Sequence, residues 1–249
     1  MSGEVLFEWA VVVMCLAAGG VLKGATGAGA PILAVPALAA FFDVRFAVVV
    51  MLVPNITTNT WQAFRFREHF PEKSFMIPML AGGILGIAGG TLALKTLQSD
   101  ILSLVMAAAV FGYVALRFAH PHWRLDMRQA RWLALPAGAA AGALQGAAGL
   151  SAPVSITFLN AMQMGRERFI AAISVLFATF TAIQIVAVTL SGLIMPGDLW
   201  YCLFALLPVS LAMPAGAWLA KRISAAALDR VILAILCLLA AKLIFDFFA

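Results

Sequence analysis

The sequence predicts an all-α polytopic membrane protein, with about ten membrane segments in a 5+5 inverted repeat that contains two broken or short helices. Three observations predict it: composition, a duplicated motif and the placing of positive charge. Of 249 residues, 64% are hydrophobic and 11% charged, and mean hydropathy is +1.03. A soluble domain carries about 25% charged residues, and the 16 Lys and Arg here are too few to coat a water-exposed surface. Lipid is therefore the solvent for most of the chain. The duplicated motif is GVLKGATGAGAP from Gly20 to Pro31 and GALQGAAGLSAP from Gly142 to Pro153. The copies align without a gap and agree at Gly20/Gly142, Leu22/Leu144, Gly24/Gly146, Ala25/Ala147, Gly27/Gly149, Ala30/Ala152 and Pro31/Pro153.

An apolar run at 5–22 comes first, and MSGEVLFEWA before and within it lacks a basic leader and a small-residue cleavage site, so it reads as an uncleaved first span. Each motif then sets a glycine cluster and a proline into apolar sequence. Glycine permits backbone angles closed to other residues, and proline removes a donor and blocks the preceding turn, so a helix is predicted to break at both places. A short run follows at 26–42. The next, 45–64, contains the polar stretch Asn55-Ile56-Thr57-Thr58-Asn59. In 74–94, Gly82, Gly86 and Gly90 recur every four residues, as in close helix packing. The run 99–117 ends the first repeat. Runs at 131–148, 150–164, 169–192, 199–220 and 230–248 make the second. Arg45-Phe46 matches Arg168-Phe169, and Leu85, Gly90 and Lys95 match Leu211, Gly216 and Lys221. The polar loop from Arg117 to Arg131 divides the halves. The whole chain, 1–249, is read as one integral membrane transporter domain, with repeat 1 at about 5–117 and repeat 2 at about 131–248.

Loop charge sets the topology. With ten crossings and the N-terminus outside, Arg45, Lys95 and Lys242 are the only positives outside, and the other thirteen are cytoplasmic. If both short segments turned back, the positives would divide equally. The positive-inside rule selects the first arrangement. An odd number of crossings in each half then inverts the second half relative to the first, with both termini outside.

The candidate site is the pair of breaks. A broken helix leaves backbone N–H groups at the positive end of a helix dipole, and these hold an anion without a buried countercharge. The substrate-binding residues expected on this reading are Lys23, Gly24, Thr26, Gly27, Gly29, Asn55, Thr58, Asn59, Gln145, Gly146, Gly149, Ser151 and Ser155. Asn55, Asn59 and Gln62 share one helical face, and Ser151 and Ser155 share another. Ser174, Thr179, Thr181 and Gln184 add polar groups later in the second repeat. Plainer readings compete: close packing for Gly20/Gly24 and Gly138/Gly142/Gly146, interhelical hydrogen bonds for the amides and hydroxyls, and a lysine snorkelling to the interface for Lys23. The counterpart of Lys23 is Gln145, and a single positive charge at a pseudo-symmetric site would attract an anion and still release it.

Other function classes find little support. Asp43, Asp100, Glu167 and Asp198 sit at segment ends, so the acid chain of a proton-driven pump is missing. Cys15, Cys202 and Cys237 lie in apolar runs without metal spacing, and His69, His120 and His122 lie in loops, so no metal and no cofactor is expected. No hydrolytic triad or carboxylate pair is visible at membrane depth, and an enzyme is not expected. GATGAG lacks the spacing of a nucleotide fingerprint, and scattered positives do not make a nucleic-acid footprint. The expected partners are the lipid bilayer and a small anion, with a homo-oligomer left open.

The glycine motif closing on proline, followed by a polar third span and repeated in the second half, resembles the TauE/SafE family, also called the sulfite exporter-like or TSUP family. The resemblance covers essentially the whole chain. It rests on Gly24, Gly27, Gly29, Pro31, Asp43 and Asn55, then Gly146, Gly149, Ser151 and Pro153. The second copy departs from the first with Ser151 for Gly29, Gly165 near the place of Asp43, and Ala178 for Asn55. The resemblance implies a bacterial inner-membrane permease or exporter of small sulfur-containing anions such as sulfite, sulfonates, sulfoacetate or thiosulfate. Alternating access, one repeat rocking against the other, is the expected mechanism. The alternative is a membrane protein that binds or delivers a sulfur species or cofactor to a partner without net transport.

Overall fold

The computed structural model describes residues 3–119, 123–222 and 225–248. They form eleven α-helices and one 3-10 turn: α1 (Gly3–Thr26), α2 (Ala30–Phe41), α3 (Val44–Val50), α4 (Leu52–Arg65), the turn Arg67–His69, α5 (Lys73–Thr96), α6 (Ser99–Ala119), α7 (Met127–Ala148), α8 (Ala152–Ala161), α9 (Arg166–Leu190), α10 (Asp198–Leu219) and α11 (Ala225–Phe248). Helices α1, α5, α9 and α10 are long and apolar enough to cross a membrane, while α2 and α8 are shorter apolar helices.

Both duplicated motifs break a helix. After α1 the chain turns through Gly27 and Gly29 at φ +84° and +129°, backbone that L side chains rarely adopt. Pro31 stands in the first turn of α2, where a missing N–H has no intrahelical partner to lose. The second break repeats the device. Gly149, at φ +67°, caps α7 and returns its N–H to the Gln145 carbonyl at 2.8 Å, and Pro153 opens α8. The run expected as one segment at 45–64 is two helices, α3 and α4, divided at Met51. Pro54 is the reason: it has no N–H for the carbonyl four residues back, and its ring crowds that turn.

Two ends of the bundle can be told apart by their contacts. At one end His69 Nε2 meets Glu167 at 2.9 Å, Arg131 meets Glu72 at 3.5 Å, and the Leu125 N–H bonds the Ala161 carbonyl at 2.8 Å. This end carries Arg65, Arg67, Lys73, Arg124, Arg128, Arg131, Arg166, Arg168, Lys221 and Arg222. At the other end the rings of Trp9, Phe42, Phe46 and Tyr201 gather, with Trp9 and Phe42 4.8 Å apart. Arg45 is held there by the carbonyls of Leu94 (2.9 Å) and Leu97 and by Ser99, while Lys242 lies over the Phe41 ring. Ten of the thirteen positives expected on one side thus gather at one end, whereas Lys23, expected among them, is buried beside Asn59. His120 and His122 lie outside the described residues.

The halves are inverted. Helices α4 and α9 are equivalents in the register that pairs Arg45 with Arg168. Along them His69 meets Glu167, Gln62 meets Ser174, and Asn55 shares a recess with Thr181. The numbers rise on one helix as they fall on the other, so the equivalents are antiparallel.

Glycine seams stitch each half to the other. A Cβ on Gly20 or Gly24 would overlap the carbonyl oxygens of Val209 or Met213, so α1 lies backbone to backbone on α10. A Cβ on Gly142 or Gly146 would overlap those of Gly83 or Ile87, so α7 lies the same way on α5. These are the same contacts in the register that pairs Gly90 with Gly216. Those two glycines complete the correspondence, Gly216 pressing on the Val21 carbonyl and Gly90 on that of Ala143. Each half therefore lends its fourth segment to the first helix of the other. Small residues permit this closeness where lipid supplies no hydrophobic drive between helices.

Candidate functional site

The two breaks face one small recess lined by Pro31, Asn55, Asn59, Gln145, Ser151, Ala152, Phe177 and Thr181, with no room for a water molecule. Pro31 and Ala152 bring the first turns of α2 and α8. Helix α4 brings Asn55 and Asn59, and α9 brings Phe177 and Thr181. Thr181 is the register equivalent of Thr58.

Lys23 sets the charge. Its side chain is 0% exposed, and Nζ donates to Asn59 Oδ1 at 2.6 Å. Among the described residues no carboxylate meets it. Asn59 Nδ2 is committed to the Asn55 carbonyl at 2.8 Å, which turns its oxygen toward the ammonium. Burying a charge without a paired opposite is costly, and the amide partner leaves the net positive charge of the recess uncancelled. Asn55 Oδ1 and Ser155 Oγ are buried without a hydrogen-bond partner.

Gln145, in the matching position, turns inward. Its Oε1 accepts from Ser151 N–H at 3.1 Å and Ser151 Oγ–H at 2.7 Å, and its Nε2 donates to Gln184 Oε1 at 2.7 Å. A side-chain oxygen thus sits before the N-terminus of α8, where an oxyanion would accept the same two bonds. Two further amides brace the broken ends: Gln62 Nε2 donates to the Lys23 carbonyl at 3.4 Å and Gln184 Nε2 to the Gln145 carbonyl at 2.6 Å. Ser174 Oγ meets Gln62 Oε1 at 3.4 Å and joins α9 to this brace.

The family profile described as Sulfite exporter TauE/SafE matches residues 11–243. The chain belongs to the TauE/SafE sulfite exporter family. It is accordingly a multi-pass membrane protein of a transporter family, with the bilayer and a small anion as implied partners. Searches of curated proteins and of solved structures find no match to it.

In this TauE/SafE chain the sequence-selected residues fall into three groups. Lys23, Asn55, Asn59, Gln145 and Ser151 meet at the recess or reach it through one hydrogen bond. Gly24 and Gly146 lie in the glycine seams, and Gly27 and Gly29 pack on Ile170 and Leu22. Gly149 caps α7 beside Val48. The third group lies elsewhere. Thr26 lines a recess of about 460 Å³ with Asn160, Gln163 and Arg166, bonding Leu22 O at 2.9 Å and the Ala28 carbonyl. Thr58 lines a groove between α4 and α10 while its hydroxyl bonds the Pro54 carbonyl at 2.6 Å. Ser155 is buried on α8.

The backbone amides expected to hold the anion are largely engaged within the breaks. Gly27 N–H bonds the Lys23 carbonyl at 2.7 Å, Ala28 N–H bonds Thr26 Oγ1 at 3.2 Å, and Gly149 and Ser151 N–H are held by Gln145. Among the recess residues, Asn55, Asn59, Gln145, Ser151 and Thr181 carry polar side chains. Thr181 and Phe177 were outside the sequence-selected set, although the Thr58/Thr181 register marks the first of them.

Proposed function

We propose that this protein is a bacterial inner-membrane permease that exports small sulfur-containing oxyanions by alternating access, with both termini outside. One observation carries the reading. A buried ammonium, Lys23, is left without a carboxylate beside the recess where both helix breaks meet. An oxyanion would supply the missing charge. Asn55, Asn59, Ser151 and Thr181 would bond its oxygens, and the Gln145 oxygen would turn aside from Ser151 to admit it.

With an inside-negative potential, export of one negative charge is favoured by about 2.3 kcal/mol per 100 mV. No carboxylate relay is required for that direction. The glycine seams support a division in which α1 moves with α10 and α5 with α7, so that the rocking bodies would be mixed bundles and not the sequence repeats. The antiparallel pair α4 and α9 crosses between them and carries Asn55, Asn59 and Thr181.

The test is flux of labelled sulfite, thiosulfate and sulfoacetate in proteoliposomes with an imposed potential. Export that grows with an inside-negative potential and disappears in Lys23→Gln supports the proposal. No flux of any small anion in either direction overturns it.

A further inference from the structure

Helices α4 and α10 enclose a groove of about 650 Å³ at the arginine-rich end, within the size range of ligand pockets. Its rim carries three cations, Arg65, Arg166 and Lys221. Its walls include Trp61 and Met213, and its floor Thr58, Gln62 and Gly24. The floor adjoins the buried lysine twice: Gly24 follows it in sequence, and Gln62 donates to its carbonyl at 3.4 Å. Arg166 is fixed at the rim by a bond from Nη2 to the Ala25 carbonyl at 3.1 Å.

The inverted repeat supplies a built-in comparison. The mirror of this groove is the seam between α9 and α5. In the register pairing Arg45 with Arg168, Thr57 of the groove corresponds to Phe180. In the register pairing Gly90 with Gly216, Val209 beside the groove corresponds to Gly83. At the mirror seam the buried Phe180 ring lies so close to Gly83 that a Cβ there would overlap it. One seam is filled by an aromatic ring. The other has an exposed threonine in its place and stands open.

We propose that the groove between α4 and α10 is an anion-binding access port, which takes a small oxyanion at Arg65, Arg166 and Lys221 before it passes to Lys23. Phe180 on Gly83 is the closed counterpart at the mirror seam. The inference rests on the transport reading for the identity of its cargo. Three cations on a low-dielectric groove, with Arg166 held by the Ala25 carbonyl, concentrate anions locally, while the threonine and glutamine floor lets them move on.

The test uses the full chain in phosphatidylcholine vesicles, with Cys15, Cys202 and Cys237 replaced by alanine and a single cysteine introduced by Thr57→Cys. Rates of modification by an anionic sulfonate methanethiosulfonate and by its cationic trimethylammonium counterpart are compared. The anionic-to-cationic ratio should fall by about tenfold or more in the Arg65→Gln, Arg166→Gln, Lys221→Gln triple variant; an unchanged ratio overturns the port. Thr57→Phe, with the cysteine introduced by Ser210→Cys instead, should abolish modification by filling the groove. Persisting modification overturns the assignment, and if that variant fails to fold the ratio decides alone. Phosphatidylglycerol in the vesicles should leave both rates at Thr57→Cys in their original order. Protection against both reagents would assign the groove to a lipid headgroup and overturn the port. None of these readouts needs flux, so expected rates without flux would sink the transport reading and leave the port standing.

Discussion

Lys23 and Gln145 hold the same place in the two repeats and reach in different directions. Lys23 stretches 2.6 Å from Asn59 on α4, while Gln145 folds back 2.7 Å from the hydroxyl of Ser151 across its own break. One half thereby offers charge, and the other offers a neutral stand-in for a bound oxygen.

Lys23→Gln should reduce anion flux by about tenfold or more, since no other full positive charge among the described residues stands at the recess. Stability should hold or rise, because a buried cation without a counter-ion disappears. Flux and thermal unfolding in detergent, measured on the same preparation, separate these effects. A variant that keeps full flux contradicts the role given to Lys23.

Gln145→Ala should free the Ser151 N–H and hydroxyl for substrate while leaving the Gln184 amide short of a partner. Apparent affinity for the anion should tighten, and stability should drop by about 1–3 kcal/mol for the unpaired buried group. Substrate dependence of flux checks the first part. Weaker apparent affinity would show that Gln145 binds the anion instead of giving way to it.

Gly142→Ala and Gly24→Ala should each cost about 1–3 kcal/mol, as overpacking does, because each new methyl meets a carbonyl oxygen on the facing helix. Gly89→Ala is the control, with nothing within 4 Å of its new atom. Detergent melting curves give the order. A Gly142→Ala protein as stable as Gly89→Ala would mean that the seam is looser than described.

Arg45→Ala should destabilise the arginine-poor end by about 2–3 kcal/mol, since a charged donor group leaves the carbonyls of Leu94 and Leu97 and the hydroxyl of Ser99. Asp43, which caps α3 through the Arg45 N–H at 2.7 Å and receives Ser99 Oγ–H at 2.7 Å, should hold part of the join. Arg45→Lys should recover less than half of the loss, a lysine being unable to serve three acceptors at once from one planar fork. Hydrogen exchange at α3 and at the α5–α6 corner reads the effect.

Helix breaks at both motifs could be read from sequence because glycine and proline act on their own backbone, wherever the rest of the chain lies. The inversion could be read from loop charge for a similar reason, since each loop reports its own side. Contacts at long range were less accessible. A four-residue glycine spacing shows that something approaches closely, but not that Gly24 meets α10 or that Gly146 meets α5. The apolar run around Pro54 conceals the division of α3 from α4, because hydropathy does not register a missing N–H. The bonding within the breaks was also hidden, because hydropathy and spacing do not show that Gln145 and Thr26 reach back to the amides of their own turns. Thr181 shares its recess with residues far away in the chain, and only the register between halves connects it to Thr58.

The exchanged glycine seams also order the birth of the protein. Membrane helices enter the bilayer in the sequence in which they are made. Helix α5 finds its partner as soon as α7 emerges, whereas α1, first into the membrane, waits with Gly20 and Gly24 uncovered until α10 arrives. Contacts that close long loops form late. Assembly therefore begins in the middle of the chain and ends by capturing its oldest helix, so a nascent chain halted before Asp198 would hold a finished α5–α7 pair beside an unclaimed α1.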